Sequence, residues 1–365
     1  MAGRLIMPRV LFIAAHRPDR SPSQRFRFEQ YFNFLEKNGW QCTLSFLLSE
    51  KDDKFFYQEG RYFLKAIIFL KSVVKRFRDL AGKNKYDIIF IQREAFMTGS
   101  VFFEKQFRKS RAKIIFDFDD AIWNLDISDA NKKLHFLKNP SKTSQIIQLS
   151  HLVFAGNPYL AEYALKYNPG VQVIPTTIET EKYIPKQENK NGTVCIGWTG
   201  SLTTMKHFQY AIPFLKKIKA EYGSGVEIKV IGDKEYINEE LGIKGIAWSS
   251  ATEISDLQQF DIGIMPLPDD EWAKGKCGLK GLQYMAMGIP TIMSPVGVNT
   301  DIITDGENGF LASGDEEWQK KLKQLIDSTE LRVKMGEKAR QTVIEKYSVF
   351  AWQPVYLDTF NKLIQ

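Results

Sequence analysis

A basic, glycine-rich loop that leads into an apolar helix has the residue types best suited to chemistry. The loop at 274–278 contains Lys276 and Gly278, and the pattern predicts a helix over Leu279–Met287 that stops at Gly288. The start of such a helix offers free backbone N–H groups and the positive end of the helix dipole, to which lysine adds an ammonium group. The loop is therefore predicted to bind a phosphate or diphosphate.

A second candidate anion site follows the predicted strand Thr193–Thr199. Gly200 allows the backbone to approach a ligand closely, and Ser201 offers a hydroxyl group. Lys206 falls in the first turn of the next helix, where its charge opposes the dipole unless it meets an anion; a capped helix with an exposed lysine is the alternative. Because loops at the carboxyl ends of parallel strands converge, we expect Lys206 and the loop Lys276–Lys280 to bind one diphosphate from two sides.

Three aspartates end another predicted strand, Lys113–Asp119. Asp117 and Asp119 alternate with phenylalanines and so share one face of the strand. As an Asp-x-Asp pair they could hold a divalent metal ion against a diphosphate. The alternatives are that Asp119 or Asp120 hydrogen-bonds sugar hydroxyls or stabilises developing positive charge, or that the run caps the next helix.

The loop after the first predicted strand is rich in arginine and serine. Ser23 is predicted to cap the helix that follows, with Arg25 and Arg27 in its first turn. Arginine is unfavourable to the dipole there unless it meets a negative charge. An acceptor phosphate and an internal pair with Asp117 or Asp120 are both simple explanations.

Another strand end, at IQRE, is predicted to face the same crevice. It places Arg93 and Glu94 there, and Glu94 is the best spare carboxylate of the first half. His16 reads as a loop histidine rather than a catalytic base. Arg93 and Glu94 therefore join the candidate acceptor-binding residues.

The elements that position these residues alternate between short strands and longer amphipathic helices. The predicted strands are Arg9–Ala15, Cys42–Leu48, Asp87–Gln92, Lys113–Asp119, Leu152–Asn157, Val171–Thr177, Thr193–Thr199, Val226–Gly232, Lys244–Trp248, Asp261–Leu267, Thr291–Ser294 and Phe310–Ser313. The predicted helices include Gln24–Asn38, Arg61–Leu80, Lys206–Glu221, Leu279–Met287 and Glu316–Asp327. This order predicts an α/β fold with parallel sheets, and the polar stretch at 186–192 predicts a division into two Rossmann-like domains that face each other across a cleft.

Composition limits the classes of function. The chain has 365 residues and a formal net charge of +7, which favours an anionic partner. It has no apolar run long enough to cross a membrane and no export signal, and its three cysteines are far apart, so we expect reduced thiols in the cytoplasm. The absence of GxGxxG after the first strand of either half argues against a nicotinamide or flavin enzyme. The basic residues form no recognised nucleic-acid module.

The predicted helix Arg61–Leu80 combines an apolar stripe with basic residues. It carries Phe63, Leu70 and Phe77 on the stripe and Lys71 mostly off it. One interpretation is a helix packed on the first sheet with a solvated basic face. The other is a surface that lies on an anionic membrane leaflet, which would suit a lipid-linked acceptor.

A series of segments in the second half resembles a known family. In order they are IGWTGS, VIGD, AWSS, DLQQFDIGIMPLPDDEW, GKCGLKGLQYMAMGIPTIMSPVGVN and DGENGFLASGDEEW. They look like the donor-binding half of the GT-B glycosyltransferases of family 4, a group of retaining, mostly bacterial enzymes. The resemblance is continuous over about 193–347, and the first half matches only in outline.

The resemblance implies a role for individual residues. Lys206 matches the diphosphate-binding lysine of the family, and Ser201 stands where an arginine is usual. The E-x7-E motif of the family aligns with Gly275 and Gln283, so an amide replaces the carboxylate that binds the ribose; Trp248 falls near the nucleobase, where a core tryptophan is the alternative. The implied donor site comprises Gly200, Ser201, Lys206, Gly232, Asp233, Trp248, Lys276, Cys277, Gly278, Leu279, Lys280 and Gln283. The implied catalytic residues are Asp119, Asp120, Lys206 and Lys280, and the acceptor-binding residues are Ser23, Arg25, Arg27, Arg93 and Glu94.

The expected function is that of a retaining glycosyltransferase. It would transfer a sugar from a UDP- or GDP-linked donor to an acceptor alcohol on a polysaccharide, lipopolysaccharide or other lipid-linked glycan, without a metal or other cofactor. Residues 1–185 would bind the acceptor, 186–346 the donor, and 347–365 would cross back to the first domain. The alternatives are a GT-B epimerase or phosphorylase, and a non-catalytic nucleotide- or membrane-binding protein.

Overall fold

The computed structural model describes residues 7–124, 139–185, 192–201 and 204–365. The chain divides into two compact units, one of which ends at Pro175 and regains Gln353–Gln365, while the other spans Thr176–Trp352. Most of the polar stretch at 186–192, which we interpret as a domain boundary, lies outside the described residues. Each unit has its own parallel sheet.

The first unit is built on a parallel sheet of six strands. Their bounds are β1 Arg9–His16, β2 Gln41–Leu48, β3 Ile88–Gln92, β4 Lys113–Phe118, β5 Leu152–Ala155 and β6 Val171–Val173. The sheet order is β2-β1-β3-β4-β5-β6, and every neighbouring pair is parallel. β3 is buried along its whole length, as expected for a strand covered on both faces.

The helices of the first unit lie between these strands and at the carboxyl end of the chain. They are α1 Pro22–Arg25, α2 Phe32–Lys37, α3 Glu50–Phe56, α4 Tyr62–Gly82, α5 Phe102–Arg108, α6 Lys142–Leu149, α7 Pro158–Leu165 and, numbered last, α16 Val349–Ile364. Tyr356 of α16 stacks on Tyr31 at a centroid distance of 3.9 Å, and Trp40 donates a hydrogen bond to Asn361. No helix in the described ranges is both long and apolar enough to span a bilayer.

The second unit has a second six-stranded parallel sheet. Its strands and the nearby hairpin are β7 Val194–Thr199, β8 Val226–Gly232, β9 Ile237–Asn238, β10 Ile243–Lys244, β11 Ile246–Ala247, β12 Ile262–Met265, β13 Thr291–Met293 and β14 Phe310–Leu311. The order is β11-β8-β7-β12-β13-β14, with β9 and β10 paired separately. The helices are α8 Met205–Phe208, α9 Ile212–Tyr222, α10 Glu253–Leu257, α11 Glu271–Lys274, α12 Leu279–Ala286, α13 Asn299–Ile302, α14 Gly314–Asp327 and α15 Thr329–Thr342.

Three predicted elements are divided in the structure. The predicted helix Lys206–Glu221 breaks before α9 because Pro213 lies at its start, where its ring and missing N–H favour a new first turn. The predicted helix Gln24–Asn38 breaks after α1, where the carbonyl oxygen of Arg27 accepts a hydrogen bond from the Tyr356 hydroxyl. A glycine at 245 divides the predicted strand Lys244–Trp248 into β10 and β11.

Candidate functional site

The start of α12 in the second unit requires the glycine that precedes it. Gly278 is the N-cap residue and has a φ of +71°, which is left-handed backbone. A Cβ added there would lie 2.3 Å from Cδ1 of Ile302. The first N–H groups of a helix have no intrahelical partner, so this eight-residue helix presents donors and a positive dipole end beside the loop.

Three lysines act on one buried histidine next to this helix. The pKa of His207 is lowered to about 4, first by burial and then by the charges of Lys280, Lys276 and Lys206. The structure thus brings together the lysines that the sequence placed on two separate loops. Their combined charge would be neutralised by a diphosphate.

Two tryptophans hold the lysines of the loop. Nζ of Lys280 lies 4.7 Å from the ring centroid of Trp198, and Nζ of Lys276 lies 4.5 Å from that of Trp272. Nε1 of Trp198 and Nδ1 of His207 are buried without a hydrogen-bond partner within the described ranges. Unpaired buried polar atoms are rare in native proteins, and here they border the lysines.

Close backbone contacts fix the loop after β7. A Cβ on Gly232, whose φ is +146°, would lie 2.1 Å from the carbonyl oxygen of Gly200. The Thr199 N–H donates to the hydroxyl of Tyr284, 2.8 Å away, and so ties the end of β7 to α12. Gly200 and Gly232 are therefore required by packing, whatever they contact in a complex.

The remaining donor-site candidates of the two loops have local partners. The Ser201 N–H donates to Thr204 in a tight turn, and Asp233 accepts from the N–H of Glu235. Cys277 is buried, which agrees with an inert thiol, and Leu279 is half-buried.

A buried polar network surrounds Gln283. Its Nε2 lies 3.2 Å from both the Tyr183 hydroxyl and Oε1 of Glu253. Glu253 also accepts from Nε1 of Trp248 at 3.0 Å and from Tyr183 at 2.7 Å. Gln283 and Trp248 therefore meet at a carboxylate that the sequence analysis missed, because an acidic residue in the first turn of a helix is ordinary for dipole reasons. Their contacts with ribose and base stay predictions.

Arg27 is not available to an acceptor, which corrects its place in the predicted acceptor site. Its side chain and that of Asp117 are both fully buried, and they form a salt bridge of 2.5 Å. The guanidinium also donates to the carbonyl oxygen of Ile174. Burial raises the pKa of Asp117, and the charge of Arg27 opposes that shift. The internal pair is thus the correct alternative of the two that the sequence left open.

Asp119 and Asp120 are clamped by Arg93. The guanidinium lies 2.7 Å from Asp119 and 2.5 Å from Asp120. Arg93 has a φ of +60°, a strained conformation that its two ion pairs help to hold. Asp117 pairs with Arg27 and Asp119 pairs with Arg93, so each carboxylate of the Asp-x-Asp pair already has an arginine partner. Within the described ranges, no group of three or more metal-binding side chains is assembled.

The predictions for Glu94 and Ser23 also need correction. Glu94 is not a spare carboxylate, because it pairs with Lys142 at 2.8 Å. Ser23 lies inside α1, and Ser21 occupies the N-cap position instead. Arg25 forms a looser pair, 3.8 Å from the exposed Asp19.

Comparison with known proteins finds a family match within the second unit. Residues 193–328 match the family described as Glycosyl transferases group 1. No curated protein has significant sequence similarity to the chain. The match begins just before β7, the strand that leads to Gly200 and Lys206, and it includes α12.

Solved structures resemble the whole chain in fold. Sucrose-phosphate synthase from Thermosynechococcus elongatus has a TM-score of 0.69 at 13% identity, over 98% of this chain and 99% of that one. Anabaena HepE in complex with UDP-glucose has a TM-score of 0.64 at 12% identity, over 97% and 99%. TarM, from S. aureus, has a TM-score of 0.60 at 14% identity over 81% of this chain, which spans only 58% of the length of TarM.

At these identities the structural likeness establishes the fold, and the predicted pair of parallel-sheet Rossmann-like domains is confirmed. The group 1 match supports the predicted enzyme class, a glycosyltransferase. The chain has a GT-B fold, and residues 193–328 in its second unit match the family described as Glycosyl transferases group 1.

Proposed function

We propose that this protein transfers a sugar, with retention of configuration, from a UDP- or GDP-linked donor to an acceptor alcohol of a glycan, as expected of family 4. The observation that carries the proposal is the convergence of three lysine charges on His207 beside the start of α12. A solved structure of similar fold, HepE, holds UDP-glucose. The second unit would bind the donor and the first unit the acceptor.

The lysines would act on the leaving group. As the bond to the sugar breaks, negative charge grows on the departing diphosphate, and fixed positive groups stabilise it. Lys206, Lys276 and Lys280 would supply that charge, together with the N–H groups of α12, so no divalent metal ion is proposed. Asp117 and Asp119 are paired with arginines, so neither is a clear nucleophile for a covalent carboxylate intermediate. This favours attack of the acceptor from the front face of the sugar, with the departing phosphate accepting the proton of the acceptor alcohol.

The pKa of His207 provides the test of the donor site. UDP or GDP should raise this pKa from about 4 towards its ordinary value, because the diphosphate neutralises the lysine charges that help to lower it. Titration of the imidazole signals by NMR, with and without nucleotide, measures the shift. The unchanged signal of His151, whose pKa is lowered first by burial and then by the charges of Arg108 and Lys113 in the first unit, is the control. An unchanged His207 pKa at saturating nucleotide would place the diphosphate elsewhere.

The acceptor is proposed to be lipid-linked, because α4 offers a surface for an anionic membrane. Phe63, Leu70, Val74 and Phe77 follow one face of the helix and are 77%, 63%, 49% and 51% exposed. Exposed basic residues lie around this stripe, and Asp79 is the only acidic residue of α4. An apolar stripe with a basic border suits the inner leaflet of the cytoplasmic membrane, where each basic residue adds about 1 kcal/mol.

Vesicle binding tests this surface. The chain should co-sediment with vesicles containing phosphatidylglycerol and not with phosphatidylcholine alone. Lys71→Gln with Arg78→Gln should weaken binding about 30-fold, from two lost charges. Adding Leu70→Ser to this charge variant should weaken vesicle binding further. Phe350→Ser, at an 80% exposed apolar position outside α4, should leave vesicle binding unchanged. Equal binding of the charge variant and the unmodified chain would contradict the proposal.

A further inference from the structure

The order of strands in the first unit marks one place where a ligand should bind. β1 has β2 on one side and β3 on the other, so the connections that follow β1 and β3 leave the sheet in opposite directions. In open α/β sheets the crevice at such a switch point, outside the carboxyl ends of the strands, is the usual binding site. His16 is the last residue of β1, and Gln92 is the last residue of β3.

A histidine–tyrosine pair stands at this switch point. Nε2 of His16 lies 2.7 Å from the hydroxyl of Tyr57, and the two rings are stacked at 6.0 Å. The chain reaches Tyr57 through α3, which returns from the end of β2. Tyr57 is 42% exposed, so part of its ring faces solvent while its hydroxyl is held by the imidazole. Neither residue has a role in the proposed donor site.

A buried carboxylate completes the cluster. Oδ2 of Asp53 accepts from Arg17 at 3.0 Å and from Arg20 at 2.5 Å. Asp53 is only 8% exposed, and its other oxygen, Oδ1, is buried. In the described part of the chain, Oδ1 has no hydrogen-bond partner. An unpaired buried acceptor of this kind is expected where a bound group supplies the missing donor.

The two rings of the cluster are uncharged. Burial and then the charge of Arg20 lower the pKa of His16 to about 4, with a smaller contribution from Arg93. Burial and then the charge of Asp53 raise the pKa of Tyr57 to about 12. Both groups are neutral at pH 7, and Arg17 and Arg20 are already paired with Asp53. Neutral hydrogen-bonding groups beside an exposed ring suit a sugar hydroxyl better than a phosphate.

We infer that His16, Tyr57 and Asp53 form the acceptor subsite of the first unit and bind a hydroxyl group of the acceptor sugar. The inference rests on the proposed glycosyl transfer. It replaces the sequence-based acceptor site, in which Arg27 proved to be buried and Glu94 to be paired with Lys142. Tyr57 would contact the sugar ring, and His16 would orient the tyrosine hydroxyl.

Histidine signals in NMR spectra can report on both units in one sample. The chain has four histidines, and His16→Gln and His207→Gln assign the two signals of interest. Methyl glucoside, methyl galactoside and octyl glucoside serve as acceptor probes, and UDP serves as the donor probe. The glycosides should shift the His16 signal and leave that of His207 unchanged, and UDP should do the reverse.

Tyr57→Phe then tests the contact itself. It should raise the dissociation constant of the glycosides about 10-fold, because one hydrogen bond to the ligand is lost, and leave that of UDP unchanged. Tyr62→Phe, at a 56% exposed tyrosine outside the cluster, is the matched control and should change neither constant. If no glycoside moves the His16 signal, or if Tyr57→Phe binds them equally well, the subsite is wrong. If UDP leaves the His207 signal unchanged, the donor site fails instead.

Discussion

Lys280→Ala is expected to lower kcat for sugar transfer about 100-fold, the effect of removing one preorganised group that stabilises leaving-group charge. Lys280 is in the first turn of α12, and its ammonium group lies 4.7 Å from the ring centroid of Trp198. That contact holds the charge near His207 before any ligand arrives, so little reorganisation is needed when the diphosphate departs.

The three lysines should not contribute independently. Lys280 is the first of the three in its effect on the pKa of His207, followed by Lys276 and then Lys206. We expect the double variant of Lys206→Ala and Lys280→Ala to lose less activity than the product of the two single effects, because both charges act on one diphosphate.

Controls separate charge from folding. Lys280→Arg retains the charge and should recover most of the activity. Lys234→Ala removes a 72% exposed lysine from the same unit and should leave kcat unchanged. The measurement is release of UDP or GDP from a nucleotide sugar in the presence of an acceptor alcohol, alongside the nucleotide dissociation constant. Unchanged turnover in Lys280→Ala for every accepted donor would remove this residue from the site.

The sequence carried enough information to predict the parallel sheets and the lysine loops. Buried strands such as β3 are nearly continuous apolar runs in the sequence. The glycine before α12 indicates both a residue with left-handed backbone and the start of a helix. Lys206 and Lys280 were predicted together because strand ends in a parallel sheet meet at one edge. These are local signals combined with one topological rule.

The pairing of buried charges could not be predicted in the same way. Whether Arg27 meets Asp117 or an external phosphate depends on the direction of its side chain, and Arg27 lies in the turn after α1, which has no regular period from which that direction could be predicted. Glu94 likewise looked unpaired because its partner, Lys142, lies 48 residues away in sequence. Glu253 was missed because its partners are spread from Tyr183 to Gln283.

The second large effect concerns stability rather than catalysis. Arg27→Met should lower the free energy of unfolding by about 3–5 kcal/mol, because it leaves the carboxylate of Asp117 buried without its cation. Both side chains are 0% exposed in the native pair. Arg25→Met is the matched control from the same segment and should cost less than about 1 kcal/mol, since its partner Asp19 is exposed.

The dependence of this loss on pH identifies its cause. Burial already raises the pKa of Asp117, and removal of Arg27 takes away the charge that opposes this shift. A carboxyl group whose pKa is higher in the folded state than in the unfolded state destabilises the fold as pH rises through the folded value. The difference in unfolding free energy between Arg27→Met and the unmodified chain should therefore narrow as pH falls from 8 towards 5, as measured by urea denaturation. The double variant Arg27→Met with Asp117→Leu should recover much of the stability at pH 8, because no buried charge remains. If the loss of unfolding free energy were independent of pH and persisted in the double variant, Arg27 would stabilise the unit through packing and its hydrogen bond to the Ile174 carbonyl, and not through Asp117.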